Sequence, residues 1–396
     1  MLSTLAGAQI TLAGLSFSIT IVALTVASQQ FGPRLMRNFM RDFGNQVVLG
    51  TFVSSFVYSV LVQGQIRGGD EATWVPSLSL AVAVAFALSS LGVLIYFIHH
   101  VSASIQASAL IAAVGDEIDA AIDTLFPEQV GEEEEGDCDE QADLVTPVGG
   151  GHCIRGSRVG HLQAIDLEGL MALASERDLV VRLDCRPGDH LVAGSPVATV
   201  WPHGDDALEQ AVNETLIVGR QRTSVQDLEY SIDQLVEIAV RALSPGINDP
   251  FTAMACADRL TASLCVLARR RTPSPMRRDE DGQLRLIARP WTFQGALGAA
   301  FDQIRQAARG NAAVSIRLVE VLALLADRAR RSADLAAICR QASMIGRGSE
   351  ALPEECDRVA LLERAALVER AAQRSALSAI HRTGQDPSSD PDARRS

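Results

Sequence analysis

The chain has 396 residues, with 48 acidic and 35 basic side chains and a formal net charge of −13. Every basic residue is arginine, which excludes a P-loop lysine, a Schiff-base lysine and a lysine that carries lipoyl or biotinyl groups. Hydrophobic residues make up 47% of the chain and aromatic residues only 5%, a balance that favours helices and a membrane segment. We expect no nucleic acid partner, because phosphate contacts need a basic surface.

Three uncharged apolar stretches are long enough to cross a lipid bilayer, which takes about 20 residues. The first is predicted to be a retained span, because it exceeds the apolar core of a signal peptide and lacks a basic start. The stretches predict a transmembrane domain over residues 1–100, with spans at about 4–28, 45–66 and 74–98.

The arginines between these spans predict their orientation. Arg34, Arg37 and Arg41 follow the first span, whereas the connection between the second and third spans carries one arginine beside two acidic residues. Because arginine is enriched in cytoplasmic loops, the first connection and everything after residue 100 are predicted to be cytoplasmic. The seven cysteines contain no C-x-x-C pair, which is typical of reduced intracellular thiols.

Small and hydroxyl-bearing residues recur along the first span with a period of seven residues. Seven residues correspond to two helical turns, so these residues share one face, which we call the hydroxyl face. One interpretation is a seam for close helix packing. The other is a hydroxyl-lined path in an oligomer. The hydroxyl face consists of Thr4, Gly7, Thr11, Gly14, Ser18 and Thr25.

Beyond the third span, residues 101–127 are predicted to form a helix that leaves the membrane and ends at Pro127. Residues 128–144 are predicted to be a solvated acidic linker, because they contain almost no large apolar residue. Their acids lack the D-x-D-x-D-G spacing of a calcium loop. Thirteen acids and no arginine lie between residues 116 and 143, so acids and arginines balance in the rest of the chain.

Residues 145–203 are predicted to form a β-rich module, a small β-barrel or sandwich, because short apolar runs alternate with Pro-Gly and Gly-Ser turns. A Gly151-x-x-x-x-Gly156-Ser157 segment lacks the lysine of a phosphate loop and is predicted to be a turn. The histidine and cysteine spacings match no zinc pattern. We therefore expect no metal and no cofactor. An enzyme is the least favoured class of protein, because no catalytic residues are recognisable.

Residues 204–380 are predicted to be a helical domain and residues 381–396 a disordered tail. One segment between two of the helices combines Pro, Gly, Asn and Asp, the residues that tight turns require. Asp249 is predicted to cap the second helix, with Pro250 in its first turn. The segment is either only a structural turn or also a ligand contact. Its candidate residues are Ser244, Pro245, Gly246, Asn248, Asp249 and Pro250.

Three stretches resemble a family of bacterial predicted membrane proteins called domain of unknown function 2254. They are S-Q-Q-F-G-P-R-L-M-R-N-F-M-R-D-F-G-N-Q-V-V-L-G-T-F (Ser28–Phe52), G-V-L-I-Y-F-I-H-H-V-S-A-S-I-Q-A-S (Gly92–Ser108) and R-A-L-S-P-G-I-N-D-P-F-T-A (Arg241–Ala253). The resemblance implies a multi-pass protein of the bacterial cytoplasmic (inner) membrane. It also implies one further span ahead of residue 1, with the N-terminus in the cytoplasm. It implies no activity.

Together these features predict N-terminal transmembrane α-helices followed by a cytoplasmic α+β domain, in a homo-oligomer embedded in the lipid bilayer. The first functional hypothesis is a channel-like assembly that conducts an ion or solute and carries a cytoplasmic regulatory domain. The alternative is a membrane-anchored sensor or scaffold whose cytoplasmic domain binds a ligand or a partner protein.

Overall fold

A computed structural model describes residues 1–32, 43–65, 77–104, 106–126 and 150–383. The chain divides into two compact units, which we call the N-terminal unit (Met1–Ala112) and the C-terminal unit (Ala113–Ser396). The predicted acidic linker and most of the predicted tail lie outside the described residues.

Long apolar helices build the N-terminal unit. Each is long and apolar enough to cross a membrane, and together they coincide with the three predicted spans. A helix satisfies its backbone hydrogen bonds internally, which lipid requires of any spanning segment. The helices are α1 (Leu2–Phe31), α2 (Phe43–Gln65) and α3 (Ser77–Ser104).

Small residues of α1 let α2 and α3 approach it closely. Ala13 and Ala23 are buried in a cluster with Phe52 of α2 and Phe97 of α3. A buried hydrogen bond of 3.1 Å joins α2 to α1 in the same unit, where a serine hydroxyl of α2 donates to a glutamine Oε1 of α1. The buried face of α1 consists of Leu2, Ala6, Gln9, Ala13, Ser16, Ala23 and Phe31.

The helix predicted over residues 101–127 is divided in two. After α3 ends, α4 (Ala107–Leu125) begins beyond Gln106, which is not helical. Val114, Ile118 and Ile122 are almost fully buried at intervals of four residues. This spacing places them on one face, so α4 has the amphipathic stripe that its sequence predicts.

Two sheets share one hydrophobic core in the C-terminal unit. The larger has the strand order β1-β5-β3-β8-β7 and the smaller the order β4-β2-β6. Side chains from both sheets meet in a single buried cluster, so the arrangement is sandwich-like. The strands are β1 (His152–Arg155), β2 (Gly160–Ile165), β3 (Val180–Leu183), β4 (His190–Leu191), β5 (Pro196–Trp201), β6 (Leu216–Gly219), β7 (Met276–Arg278) and β8 (Leu284–Ile287).

The β-rich module extends beyond residue 203, where the sequence pattern ends it. β6 pairs with β2, and β8 pairs in parallel with β3 although about a hundred residues separate them. Local turn signals do not reveal pairings between strands so distant in sequence. The predicted β-rich and helical domains therefore form one compact unit.

Helices complete the C-terminal unit, and α8 packs against α7, α9 and α10, while α12 packs against α10 and α11. Most begin with a side chain that accepts a backbone N–H, as helix N-termini require. The helices are α5 (Leu167–Glu176), α6 (Asp206–Thr215), α7 (Leu228–Ala242), α8 (Pro250–Leu267), α9 (Phe293–Ala307), α10 (Ala312–Ala326), α11 (Ser332–Arg347) and α12 (Glu355–Thr383).

Candidate functional site

All six residues of the hydroxyl face are exposed on α1, on a different side from its buried face. A Cβ atom added to Gly7 or Gly14 would have no neighbour within 4 Å. The Thr11 hydroxyl donates to the Gly7 carbonyl and the Thr25 hydroxyl to the Ile21 carbonyl, both at 2.8 Å. The hydroxyl face is therefore not the seam that joins α1 to α2 and α3. Both its packing role and its conducting role stay predictions that require a further helix.

The Ser244–Pro250 turn connects α7 to α8 with the chemistry that its sequence predicts. Asp249 is the N-cap of α8, because its carboxylate accepts from the Thr252 N–H at 3.1 Å and from the Thr252 hydroxyl at 2.6 Å. These hydrogen bonds lower the pKa of the Asp249 carboxyl. Asn248 adopts a left-handed backbone with φ of 50°, which asparagine tolerates better than most residues. The turn is thus fixed by its own residues.

Backbone groups of this turn hydrogen-bond within it, whereas two apolar side chains at the turn are exposed. The Ser244 carbonyl accepts from the Ile247 N–H at 3.1 Å and from the Asn248 N–H at 2.9 Å. Ile247 is 42% exposed and Phe251, in the first turn of α8, is 77% exposed. We call these two residues the apolar tip. Sequence reasoning missed them, because the exposure of an apolar side chain depends on the tertiary structure.

An arginine of α8 forms ion pairs with two carboxylates of α4. Arg259 Nη2 lies 2.6 Å from Asp119 Oδ2 and 3.2 Å from Asp116 Oδ1, and its Nη1 donates to Ser263 Oγ at 2.8 Å. Ser263 in turn donates to Asp119 Oδ1 at 2.6 Å. A Cβ atom on Gly115 would lie 1.9 Å from Arg259 Nε, so only glycine leaves room for the guanidinium. We call these five residues the α4–α8 clamp.

A further ion pair lies next to the clamp. Arg270 contacts Asp123 of α4 through its guanidinium. Three of the thirteen acids that the sequence places between residues 116 and 143 therefore pair with arginines of the C-terminal unit. The acidic balance of that stretch is partly neutralised by folding, which the sequence alone could not show.

Buried charges join the β-rich part to α7. Arg222 binds Asp227 at 2.7 and 2.9 Å and Asp233 at 2.7 Å, and Asp227 is completely buried. Nearby, Arg186 Cζ lies 4.2 Å from the centroid of the Trp291 ring. Its Nη2 donates to a glutamate Oε1 of α7 at 2.9 Å. Each charge has a partner of opposite sign, which is the condition for burying charge without a large penalty. This network links the β-rich part to α7.

The described residues hold little that catalysis could use. No group of three metal-binding side chains occurs among them, and the cross-strand pair of His161 and His190 has ring centroids 5.0 Å apart. Burial raises the pKa of both Cys185 and Cys256 to about 12, so neither thiol is a ready nucleophile. Near β1, a depression of about 390 Å³ is lined by polar side chains, among them Asn213, whose amide is occupied by backbone partners.

The family described as a predicted membrane protein, DUF2254, matches residues 1–324. The chain belongs to this family. The uncharacterised protein Rv1290c of Mycobacterium tuberculosis (strain H37Rv) is 31% identical to it over 386 residues, which cover 94% of this chain and 72% of that protein. The uncharacterised protein Mb1321c of Mycobacterium bovis has the same identity and coverage. No solved structure matches the chain.

The DUF2254 match includes the three candidate spans, the α4–α8 clamp and the apolar tip, and it ends within α10. The protein is a predicted membrane protein with three candidate spans near its N-terminus, followed by a mixed helical and sheet region.

Proposed function

We propose that this DUF2254 protein is a membrane-anchored sensor or scaffold that binds a partner protein through the apolar tip of the α7–α8 turn. The observation that carries the proposal is the exposure of Phe251 and Ile247 at a turn whose backbone hydrogen-bonds within itself. Large apolar side chains held outward are typical anchors of protein interfaces. The three candidate spans supply the anchor.

The rigidity of the turn supports this proposal. Asp249 caps α8, Pro250 begins it, and the Asp249 N–H donates to the Ala242 carbonyl at 2.7 Å. A partner that binds a preformed surface pays little ordering entropy, so even a small apolar tip contributes to affinity. Ser244, Asn248 and Asp249 then act by shaping the turn, and the partner contacts Ile247 and Phe251.

The helix α8 connects the apolar tip to α4, because it carries Phe251 in its first turn and contacts α4 further along. α8 extends about 27 Å at 1.5 Å per residue. Its first turn carries Phe251, and Arg259, two turns further on, binds Asp119 of α4. In sequence α4 follows α3, the third candidate span. Under the positive-inside rule, the arginines after the first span support a cytoplasmic location for the C-terminal unit, on the inner side of the cytoplasmic membrane.

Site-specific photocrosslinking in native membranes tests the proposal. A photoreactive phenylalanine analogue replaces Phe251 in the full-length chain, and adducts are identified by mass spectrometry. Val225 and Val159, which are 65% and 66% exposed, are matched control positions away from the turn. We expect a discrete adduct from position 251 that disappears when Ile247→Ser is added. Identical adducts from the control positions, or adducts with this chain alone, would contradict the proposal.

A second candidate function is conduction of an ion or solute by an oligomer. It rests on the hydroxyl face, which is exposed along an uncharged helix that is long and apolar enough to cross a membrane. Small residues allow a second helix to approach, and threonine oxygens offer acceptors to a cation. The test is a flux assay in liposomes with Gly14→Leu and Ser18→Leu, using Phe17→Leu on a neighbouring exposed position as the control.

Conduction predicts that the two hydroxyl-face variants change the flux while the control does not. A correctly folded assembly that passes nothing under voltage, tension or a pH gradient would exclude this function.

A further inference from the structure

The helices α8 and α10 run parallel and finish at the same end of the C-terminal unit. Near the middle of both helices, Asp258 binds Arg317 at 2.8 Å. Beyond their ends, Arg331 Nη1 donates to the Arg270 carbonyl at 3.2 Å and to the Thr272 hydroxyl at 3.0 Å. Contacts in this order require parallel helices, so the chain segments that follow α8 and α10 are adjacent.

Four arginines of these two segments are exposed. Arg328 and Arg269 both lie near Cys265, since burial raises the pKa of this thiol and the two guanidinium charges partly oppose the change. The side chains of the four arginines form no ion pair or hydrogen bond with the part of the chain that the structure describes. We call them the arginine patch, which consists of Arg269, Arg271, Arg328 and Arg330.

The acids that form ion pairs at this end of the unit have arginines outside the patch as their partners. Asp123 contacts Arg270, Asp327 binds Arg374 at 3.4 Å, and the buried Asp334 binds Arg331 at 2.7 Å. The dipoles of α8 and α10 add about half a negative charge at each C-terminus, which is less than the charge of the four arginines. The arginine patch therefore has an excess of positive charge.

The part of the sequence that follows α4 has the opposite charge. Residues 128–143 contain nine acids and no arginine. The contact of Asp123 with Arg270 holds the end of α4 beside the patch, and Phe126, the last described residue before these acids, is buried. Glu128 follows Asp123 by five residues, so even an extended chain keeps it within about 18 Å of that contact. Attachment this close gives the carboxylates a local concentration at the patch on the order of millimolar.

We propose that residues 128–143 bind the arginine patch of their own chain through their carboxylates. This segment is the occupant because its charge is opposite and because its attachment point lies beside the patch. Guanidinium groups form charge-assisted hydrogen bonds with carboxylates, and salt screens such contacts when they are exposed. Other anions, such as lipid head groups, then reach these arginines only in competition with the segment. The contact uses none of the apolar tip and is independent of the proposed partner-binding function.

The absence of lysine from the chain permits a direct test of this contact. Arg330→Lys introduces the only ε-amine, and a carbodiimide joins that amine to a carboxylate that touches it. In the full-length, detergent-solubilised protein, we expect mass spectrometry to find the introduced amine joined to acids of residues 128–143. Arg309→Lys is the matched control, because Arg309 is exposed and precedes the start of α10 instead of following its end. We expect no such adduct from the control.

A second measurement follows the rate at which a glutamate-specific protease cuts the run Glu132–Glu135. Arg330→Glu is expected to make this cleavage about threefold faster at low salt, a modest factor because exposed ion pairs are individually weak. The difference from the original chain should disappear in about 1 M salt, where the screening length falls to about 3 Å. Arg309→Glu makes the same change of charge and should be cut at the rate of the original chain.

Three results would each overturn the proposal. An amine at position 330 that joins only Asp327, or no acid at all, would show that the segment lies elsewhere, as it would if anionic lipid occupied the patch. Adducts that only join isotopically labelled to unlabelled copies would show that a second copy supplies the acids. Equal cleavage rates of the Arg330→Glu and Arg309→Glu variants at low salt would show that the patch does not hold the acidic run.

Discussion

At the scale of single residues, the fit between Gly115 and Arg259 determines whether α4 can lie against α8. The guanidinium crosses α4 at the one position without a side chain and reaches Asp116 and Asp119 beyond it. Arg259 is only 19% exposed at its side chain, and these carboxylates compensate the burial of its charge. A glycine in the middle of a helix normally costs stability, which here is offset by the contact that it allows.

We expect Gly115→Leu to lower the free energy of unfolding by about 1–3 kcal/mol, because the new side chain displaces Arg259 from its carboxylates. Chemical denaturation of the solubilised protein measures this change. Gly348→Ala is the control, since a Cβ atom there has nothing within 4 Å. Equal effects of the two substitutions would contradict the role assigned to Gly115.

Glu229 gives the C-terminal unit a specific pH dependence. Burial raises the pKa of this carboxyl, and the attraction of Arg186 only partly opposes the change. The folded protein therefore binds the Glu229 proton more tightly than the unfolded chain does. The resulting stabilisation is present at acidic pH and is lost as the pH rises through the raised folded-state pKa.

The Glu229→Gln variant, which is neutral at every pH, is expected to remove this contribution to the pH dependence. Its amide oxygen can still accept from Arg186, which binds the native carboxylate at 2.9 Å. Its unfolding temperature relative to the wild type should rise as the pH increases from 4 to 8, as followed by circular dichroism. The exposed Glu354→Gln is the control. A difference that does not change with pH would refute this assignment.

At the scale of elements, α1 has one face that packs against α2 and α3 and another face that is exposed. Ala13 is 5% exposed in the cluster with α2 and α3, whereas its neighbour Gly14 is exposed with no atom near its missing side chain. Sequence periodicity identified the exposed strip, but it could not say which strip of small residues packs inside the unit. Alanine and glycine satisfy the steric requirement of helix packing equally well.

The adjacent substitutions Ala13→Leu and Gly14→Leu are expected to differ sharply. Ala13→Leu overfills the contact among the three helices and should lower the folded yield and the unfolding temperature in detergent. Gly14→Leu should leave both unchanged within one subunit. Comparable loss from both substitutions would mean that the hydroxyl face is buried against another helix in the native assembly.

At the scale of the whole molecule, ion pairs within the fold neutralise part of the excess negative charge of the sequence. The acids of α4 pair with Arg259 and Arg270, and the apolar side of α4 is buried. Residues 113–126 are therefore a packed part of the C-terminal unit. They are nevertheless acidic, like the predicted linker that follows them in the sequence.

Cleavage of the chain within the predicted linker at residues 128–144 should therefore leave its two fragments associated. A glutamate-specific protease is expected to cut the run Glu132–Glu135, and a C-terminal affinity tag should still retain the N-terminal fragment. High salt should not release it, because burial of Ile118 and Ile122 is not screened. The combined Arg259→Ala and Ile118→Ser variant should release it. Loss of the N-terminal fragment at the first wash, from cleaved protein without these two substitutions, would contradict the docking of α4.

The sequence by itself determined the three membrane-spanning candidates, the capped turn at Asp249 and the amphipathic stripe of α4. These features depend on length, hydropathy and residues close together in the chain, which are local properties of the polypeptide. Tertiary structure decided the rest. The pairing of β8 with β3, the insertion of Arg259 over Gly115 and the exposure of Phe251 depend on contacts between distant segments, and an arginine, a glycine or a phenylalanine carries no local sign of its eventual neighbour.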